Sequence, residues 1–401
     1  MIRDSRLRII LLGYIVRGPL AGLAWHYLQY VLALTRLGHE VYFFEDSDDY
    51  ASCYNPETNT QSTDPSYGLQ FLSSAMGELG LPERWAYYDA HKAVWRGPCA
   101  DQALDICATA DLFLNVSAVN PIRPWLMDVP VRVLVDTDPA FTQVRHLTSA
   151  DARTRAACHT AFFSFGENLS AGLSSIPDDG FQWQATRQPV VLDAWAVTPA
   201  PPAGSYTSIM LWEAYPAIEY HGRRYGPKAD SFGPFLDLPT RAGPVFELAF
   251  GSRTQPGKMM KEHGWTLIDP REPSRSLGHY RDYIQASRAE FGVAKHGYVV
   301  SRSGWFSERS ALYLASGRPV LVQDTGFGEW LRTSEGVLPF RTVEDVLAGV
   351  DAINERYRTH CDAARAVAET YFSAPAVLTR LLELAIHPET RRPASGSKAH
   401  R

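Results

Sequence analysis

Three groups of residues in the chain have types and spacings suited to chemistry. The first lies in Ser301-Arg-Ser-Gly-Trp-Phe-Ser-Glu-Arg-Ser, where Ser303, Gly304 and Ser307 open an apolar helical stretch that stops at Gly317. The first turn of a helix has backbone N–H groups without partners and the positive end of the helix dipole, so it can bind an anion without a metal. Arg302 and Arg309 add positive charge there. The second group is cationic: Arg223 and Lys228 within Gly222-Arg-Arg-Tyr-Gly-Pro-Lys, and Arg253 with Lys258 just after an apolar run. The third is acid–base. Asp136-Thr-Asp138 follows the apolar run Val131–Val135, where each carboxylate serves as an acceptor or sugar contact, as a base, or as a turn cap. His26 follows a glycine loop, and histidine titrates close to neutral pH, as a base requires. Trp212 and Trp305 add aromatic faces that can pack on a sugar or a base.

These groups need elements to position them. Arg8-Ile-Ile-Leu-Leu is a short continuous apolar run, the pattern of a parallel strand covered on both faces. A loop with Gly13, Gly18 and Gly22 follows, then Leu23, Tyr27, Tyr30, Leu34 and Leu37 at helical spacing, a stop at Gly38, and a second strand from Glu40. Further strands are expected at Leu112–Val116, Val131–Val135 and Ala161–Phe165, which makes the first half a parallel α/β domain. Thr198-Pro-Ala-Pro-Pro-Ala-Gly-Ser reads as a linker. After it the pattern restarts, with strands expected at Ser208–Trp212, Val245–Phe250, Glu290–Ala294 and Pro319–Asp324. The expected division is residues 1–197, residues 205–370, a helix over 371–387 packing back toward the first domain, and a tail over 388–401. Two open α/β sheets joined by a linker place a cleft at the carboxyl ends of their strands.

Composition narrows the function classes. A chain of 401 residues suits two domains at ~150 or more residues each. Its 39 basic and 44 acidic residues give a net charge of −5 without a long run of like charge, which argues against a nucleic-acid binder. Five scattered cysteines with no Cys-x-x-Cys pair suggest neither a disulfide framework nor a zinc site. No apolar stretch near the start suits a membrane span or a signal peptide, so a cytoplasmic protein, monomeric or homodimeric, is expected. Gly251-Ser-Arg-Thr-Gln-Pro-Gly-Lys-Met comes near a phosphate loop, but five residues separate its glycines and Met259 stands where magnesium binding needs Ser or Thr. No Gly-x-Gly-x-x-Gly follows a strand, which weakens a dinucleotide reading.

The order of motifs resembles that of GT-B glycosyltransferases, of the kind found in families 4 and 1. Gly317-Arg-Pro-Val320 and Gly326-Phe-Gly-Glu329 are similar to the family's donor-binding half, and Gly18 to Gly22 with Leu37-Gly-His-Glu-Val41 to its first loop and helix. The resemblance implies two Rossmann-like domains facing a cleft, no cofactor or metal, and a UDP-, dTDP- or GDP-sugar as co-substrate. It also implies an acceptor on the first domain, diphosphate contacts from Arg223 and Lys228 or from Arg253 and Lys258, and sugar contacts from Gly326 and Glu329. Retaining members carry two glutamates where this chain has Gly304 and Leu312, so Glu308, one turn earlier, is the candidate nucleoside contact with Trp305 and Trp212. Inverting relatives place a histidine base near the position of Gly22, one helical turn before His26. The alternatives are a nucleotide-sugar epimerase of the same fold or a non-catalytic two-domain binder of a small ligand.

Overall fold

The computed structural model describes residues 6–199, 201, 204–252 and 256–387. Arg253, the tail over 388–401 and part of the Pro-rich linker lie outside the described residues. Two parallel sheets account for the architecture. The first has eight strands, in the order Trp183–Ala185, Ala161–Ser164, Val131–Asp136, Leu112–Val116, Arg8–Leu12, Glu40–Asp46, Trp85–Asp89 and Val94–Arg96, of which the last pairs antiparallel. The second has six, all parallel, in the order Thr266–Ile268, Phe246–Gly251, Tyr206–Leu211, Ala289–Gly292, Val320–Gln323 and Val337–Phe340.

Strands expected from apolar runs form within a residue or two of the expected bounds, because helices cover both faces. Ile9, Ile10, Leu11, Leu112, Phe113, Leu114, Val320 and Leu321 are all fully buried. No such run marks the edge strands. Trp85-Ala-Tyr-Tyr-Asp has no aliphatic run, and Thr266–Ile268 and Val94–Arg96 are each only three residues long.

The helix Ala21–Arg36 joins the two halves. It follows the glycine loop of the first domain and packs on both Leu277–Ala286 of the second and the last helix, Ala374–Ile386. Trp25 donates its indole N–H to the Leu277 carbonyl at 3.0 Å. A Cβ at Gly22 would stand 3.1 Å from the Tyr280 ring, so glycine there permits the close approach. Arg318, from the Gly-x-Pro-Val segment, is buried and donates to the carbonyls of Thr198, Pro199 and Gln285, which ties the start of the linker to the second domain.

Candidate active site

The second-domain wall of the cleft begins with a buried charge. Glu290 lies within the strand Ala289–Gly292 and is fully buried, so it requires a cation. Arg309, in the first turn of the helix Glu308–Ala315, supplies it through Nε at 2.7 Å and donates from a second nitrogen to the Ile209 carbonyl at 2.7 Å. Ser307 caps this helix by accepting from the Arg309 N–H. Among the described residues, the backbone N–H groups of Phe306, Ser307 and Glu308 have no protein acceptor. A small cavity of about 20 Å³ lies beside this turn, bounded by Gly292, Ala294, Trp305, Ser307, Arg309 and Ser310.

Lys228 starts the helix Lys228–Phe232 and is half-buried in electrostatic reach of Arg309, Glu290, Glu308 and Lys295. It makes no hydrogen bond or ion pair among the described residues. Burial, and then repulsion from Arg309, push its ammonium down to about 7. Glu308 is likewise without a hydrogen bond or ion pair among the described residues, and it faces both Lys228 and His26.

Across the cleft, Asp138 lies just past the strand Val131–Asp136. Lys295 Nζ donates to its Oδ1 at 2.9 Å, and the hydroxyls of Tyr298 and Tyr215 donate to Oδ1 and Oδ2. All three donors come from the second domain, so this cluster closes the seam between the domains. Burial alone would raise the Asp138 carboxyl, but the Lys295 ammonium and the two hydroxyls hold it below its usual range. Lys295 also sits 4.3 Å from the Tyr215 ring centroid.

His26 is buried on the cleft side of its helix. Its Nδ1 lies 2.6 Å from Gln188 Oε1, and its Nε2 lies 3.4 Å from Ser117 Oγ. Burial holds the imidazole below its ordinary value, against the opposing effect of Glu308. Ser117 and Ala118, at the end of the strand Leu112–Val116, have φ of 64° and 52°, a left-handed conformation uncommon for residues other than glycine. Such strain gathers at functional sites.

No protein-family model matches the sequence, and no curated protein matches it. Solved structures match over nearly the whole chain. An alpha-glucosyltransferase in complex with UDP-glucose and DNA containing an abasic site superposes with a TM-score of 0.58 at 9% identity, covering 95% of this chain and 100% of that one. Sucrose-phosphate synthase from Thermosynechococcus elongatus gives 0.53 at 12%, covering 95% and 98%. Anabaena HepE, in complex with UDP and glucose, gives 0.54 at 10%, covering 94% and 99%. The chain has the GT-B fold.

Within this GT-B frame the expected residues separate into those that meet at the cleft and those that do not. Lys228, Glu308, Ser307, Trp305 and His26 converge there. Asp138 reaches the cleft, but a carboxylate that already accepts from three donors has little affinity for a further proton, which corrects its reading as a base. Asp136 is corrected more fully. It is buried and accepts from Thr142, Gln143, Ser164 and the Asp138 N–H, so it ties together the loop that follows its strand. Gly304 donates its N–H to the Thr325 carbonyl, and its Cα faces Asn168 of the first domain, where a Cβ would come within 2.7 Å of that side chain. The Ser303 carbonyl accepts from the Asn168 N–H and its hydroxyl donates to the Tyr298 carbonyl, so neither residue offers a free donor in this state.

Gly326 lies in the seam, and Glu329 is held in an ion pair within its own domain. The Gly326 carbonyl accepts from Asn168 Nδ2 at 3.0 Å, and half-exposed Glu329 pairs with Arg302 at 3.0 Å. Arg223 is exposed on the hairpin Ile218–Tyr220/Arg223–Tyr225 and donates to Ser175 of the first domain. Lys258 is 88% exposed and pairs loosely, at 3.8 Å, with Glu262 on its own helix. Trp212 packs on Phe232 and Phe250, while Trp305 donates to the Thr137 carbonyl across the seam at 3.2 Å. Residues not singled out from sequence are Glu290, Lys295, Tyr215, Tyr298, Asn168 and Gln188. For Glu290 a signal existed: a lone acidic residue inside a buried strand demands a cation from elsewhere. Among the described residues no group of three or more His, Cys, Asp and Glu could hold a metal ion, and no helix is long and apolar enough to cross a membrane.

Proposed function

We propose that the protein is a glycosyltransferase that moves a sugar from a nucleoside-diphosphate sugar to an acceptor hydroxyl held against the first domain. One observation carries this reading: Lys228, which makes no hydrogen bond or ion pair among the described residues, and the backbone N–H groups of Phe306, Ser307 and Glu308, which have no protein acceptor there, stand beside the buried Arg309. A diphosphate would accept from these unused donors and interact with the Lys228 and Arg309 charges. In the transfer, the acceptor oxygen bonds to the anomeric carbon, the bond from that carbon to the phosphate oxygen breaks, and its electron pair leaves on the nucleoside diphosphate. Negative charge therefore builds on the diphosphate, and fixed cations aimed at it lower the barrier. Lys228, Arg309 and the helix dipole supply that compensation, so this is a metal-independent reading. Glu308 is suited to accept from ribose or sugar hydroxyls, because its carboxylate has no protein donor among the described residues. Trp305 would form an apolar wall of the donor pocket.

The test is product release. The protein is incubated with UDP-, dTDP- and GDP-sugars and a panel of hydroxyl acceptors, and free nucleoside diphosphate and glycosylated acceptor are measured. One donor is expected to release its diphosphate, with at least a tenfold loss in Lys228→Met. Interconversion of the sugar without an acceptor would mark an epimerase, and ligand binding without turnover would mark a binding protein.

A further inference from the structure

Gln188 sits behind His26 and is itself buried, with 2% of its surface exposed. Its amide nitrogen donates to two carbonyls, those of His26 at 3.2 Å and Pro189 at 3.1 Å. Carbonyls only accept, so these two bonds fix which end of the amide is nitrogen. The amide oxygen then faces His26 Nδ1 at 2.6 Å, and an oxygen there requires Nδ1 to carry the hydrogen. A neutral imidazole has a single N–H, so Nε2 keeps its lone pair. That lone pair points toward Ser117 Oγ at 3.4 Å, and Ser117 Oγ lies 2.7 Å from Thr137 Oγ1. Thr137 lies between Asp136 and Asp138, and its carbonyl receives the Trp305 indole from the second domain. The chain of polar groups thus runs from a buried imidazole to the wall where the two domains meet.

We propose that Gln188 is a positioning residue that holds His26 in the Nδ1–H form, so that Nε2 is the proton-accepting end of a Ser117–Thr137 hydroxyl chain serving the acceptor. The proposal rests on the glycosyltransferase reading. As the acceptor oxygen bonds to the anomeric carbon, its proton passes to Thr137 Oγ1, the Thr137 proton to Ser117 Oγ, and the Ser117 proton to His26 Nε2. Both hydroxyls are restored, an imidazolium forms, and the electron pair of the broken bond leaves on the diphosphate. Glu308 faces the imidazolium from the second domain, and the Gln188 oxygen continues to accept from Nδ1. The other titratable groups around the ring are Tyr27 and Tyr30 of its own helix, both with phenols that burial keeps neutral. Ser117 and Ala118, which hold the left-handed backbone, lie at the start of this hydroxyl chain.

The test has two arms. In the first, 15N NMR of histidine-labelled protein, with the His26 signals assigned by their loss in His26→Asn, reads the tautomer without any need for turnover. Nδ1–H is expected in the wild type and in Gln188→Glu, and a mixture or Nε2–H in Gln188→Leu. Nε2–H in the wild type overturns the proposal. In the second arm, Gln188→Leu and Ser117→Ala are expected to lower kcat about tenfold or more, and His26→Asn about 100-fold, with donor Kd unchanged because the donor lies on the second domain. In Gln188→Glu the acidic limb of the kcat profile is expected to move to higher pH, since a carboxylate behind Nδ1 favours the imidazolium. An unchanged kcat in Gln188→Leu removes the relay while leaving transferase activity intact. A wild type that turns over no donor removes the functional reading, and the tautomer result stands separately.

Discussion

Two stretches of the chain read alike as sequence and differ in the folded protein. One is the glycine loop after the first strand, Gly13 to Gly22; the other is the turn that opens the helix Glu308–Ala315. Both precede a helix, and both present consecutive backbone N–H groups without a backbone acceptor. In the first, Glu45 already satisfies them: it accepts from the N–H groups of Ile15, Val16 and Arg17 at 2.6, 2.7 and 2.8 Å and pairs with the fully buried Arg17. The chain has placed its own carboxylate in its own anion site. In the second, the carboxylate of Glu290 lies behind Arg309, while Lys228 and the N–H groups make no hydrogen bond to any carboxylate among the described residues, Glu308 lying near Lys228 but unbonded. Residue spacing marks where an anion can bind, and the availability of an internal carboxylate decides whether that site is structural or functional.

The largest expected effect tests the filled site. Glu45→Ala leaves Arg17 buried without its partner and is expected to cost about 3–5 kcal/mol of stability, measured by chemical denaturation. Arg309→Ala strands Glu290 in the same way and should show a loss of similar size, together with weaker donor binding, which Glu45→Ala should not show. Next comes the open site. Lys228→Met is expected to weaken donor binding by about 1.5–3 kcal/mol, the range for a hydrogen bond to a charged group, with no loss of stability, because a partly desolvated cation is removed.

A smaller effect is its pH dependence. The free site titrates near 7 and only the ammonium binds phosphate, so donor affinity should fall as pH rises above about 7. The nucleotide-sugar diphosphate has no group of its own titrating there. The unfolded chain keeps the ordinary value of 10.5, so between about 7 and 10.5 it binds more protons than the native state, and Lys228 should make the protein more stable as pH rises through that window. Lys228→Met should flatten both slopes. The smallest effect is that of Lys258→Ala, at a nearly fully exposed side chain, which should change stability by less than about 0.5 kcal/mol and leave donor affinity unchanged.

The central strands of the two sheets were legible because parallel strands buried on both faces need continuous apolar runs, as in Ile9 to Leu12 and Val320 to Val322. The edge strands were not, since Trp85–Asp89 and Thr266–Ile268 are held by neighbours that no local pattern reveals. At the site, Lys228, Glu308 and His26 were candidates from the order of motifs and the resemblance, and their roles are proposals. The Asp138 cluster could not, because its partners Tyr215, Lys295 and Tyr298 lie 77, 157 and 160 residues away and meet it only when the domains meet. Gln188 was hidden for the same reason, since its role depends on which atoms of an amide face which neighbours.

Calorimetric titration of UDP, dTDP and GDP into the wild type, Lys228→Met and Lys258→Ala tests the central claim most directly. The account predicts that at least one nucleotide binds the wild type and Lys258→Ala equally and binds Lys228→Met at least tenfold more weakly. Equal affinity in all three proteins, or no binding of any nucleotide, would contradict it.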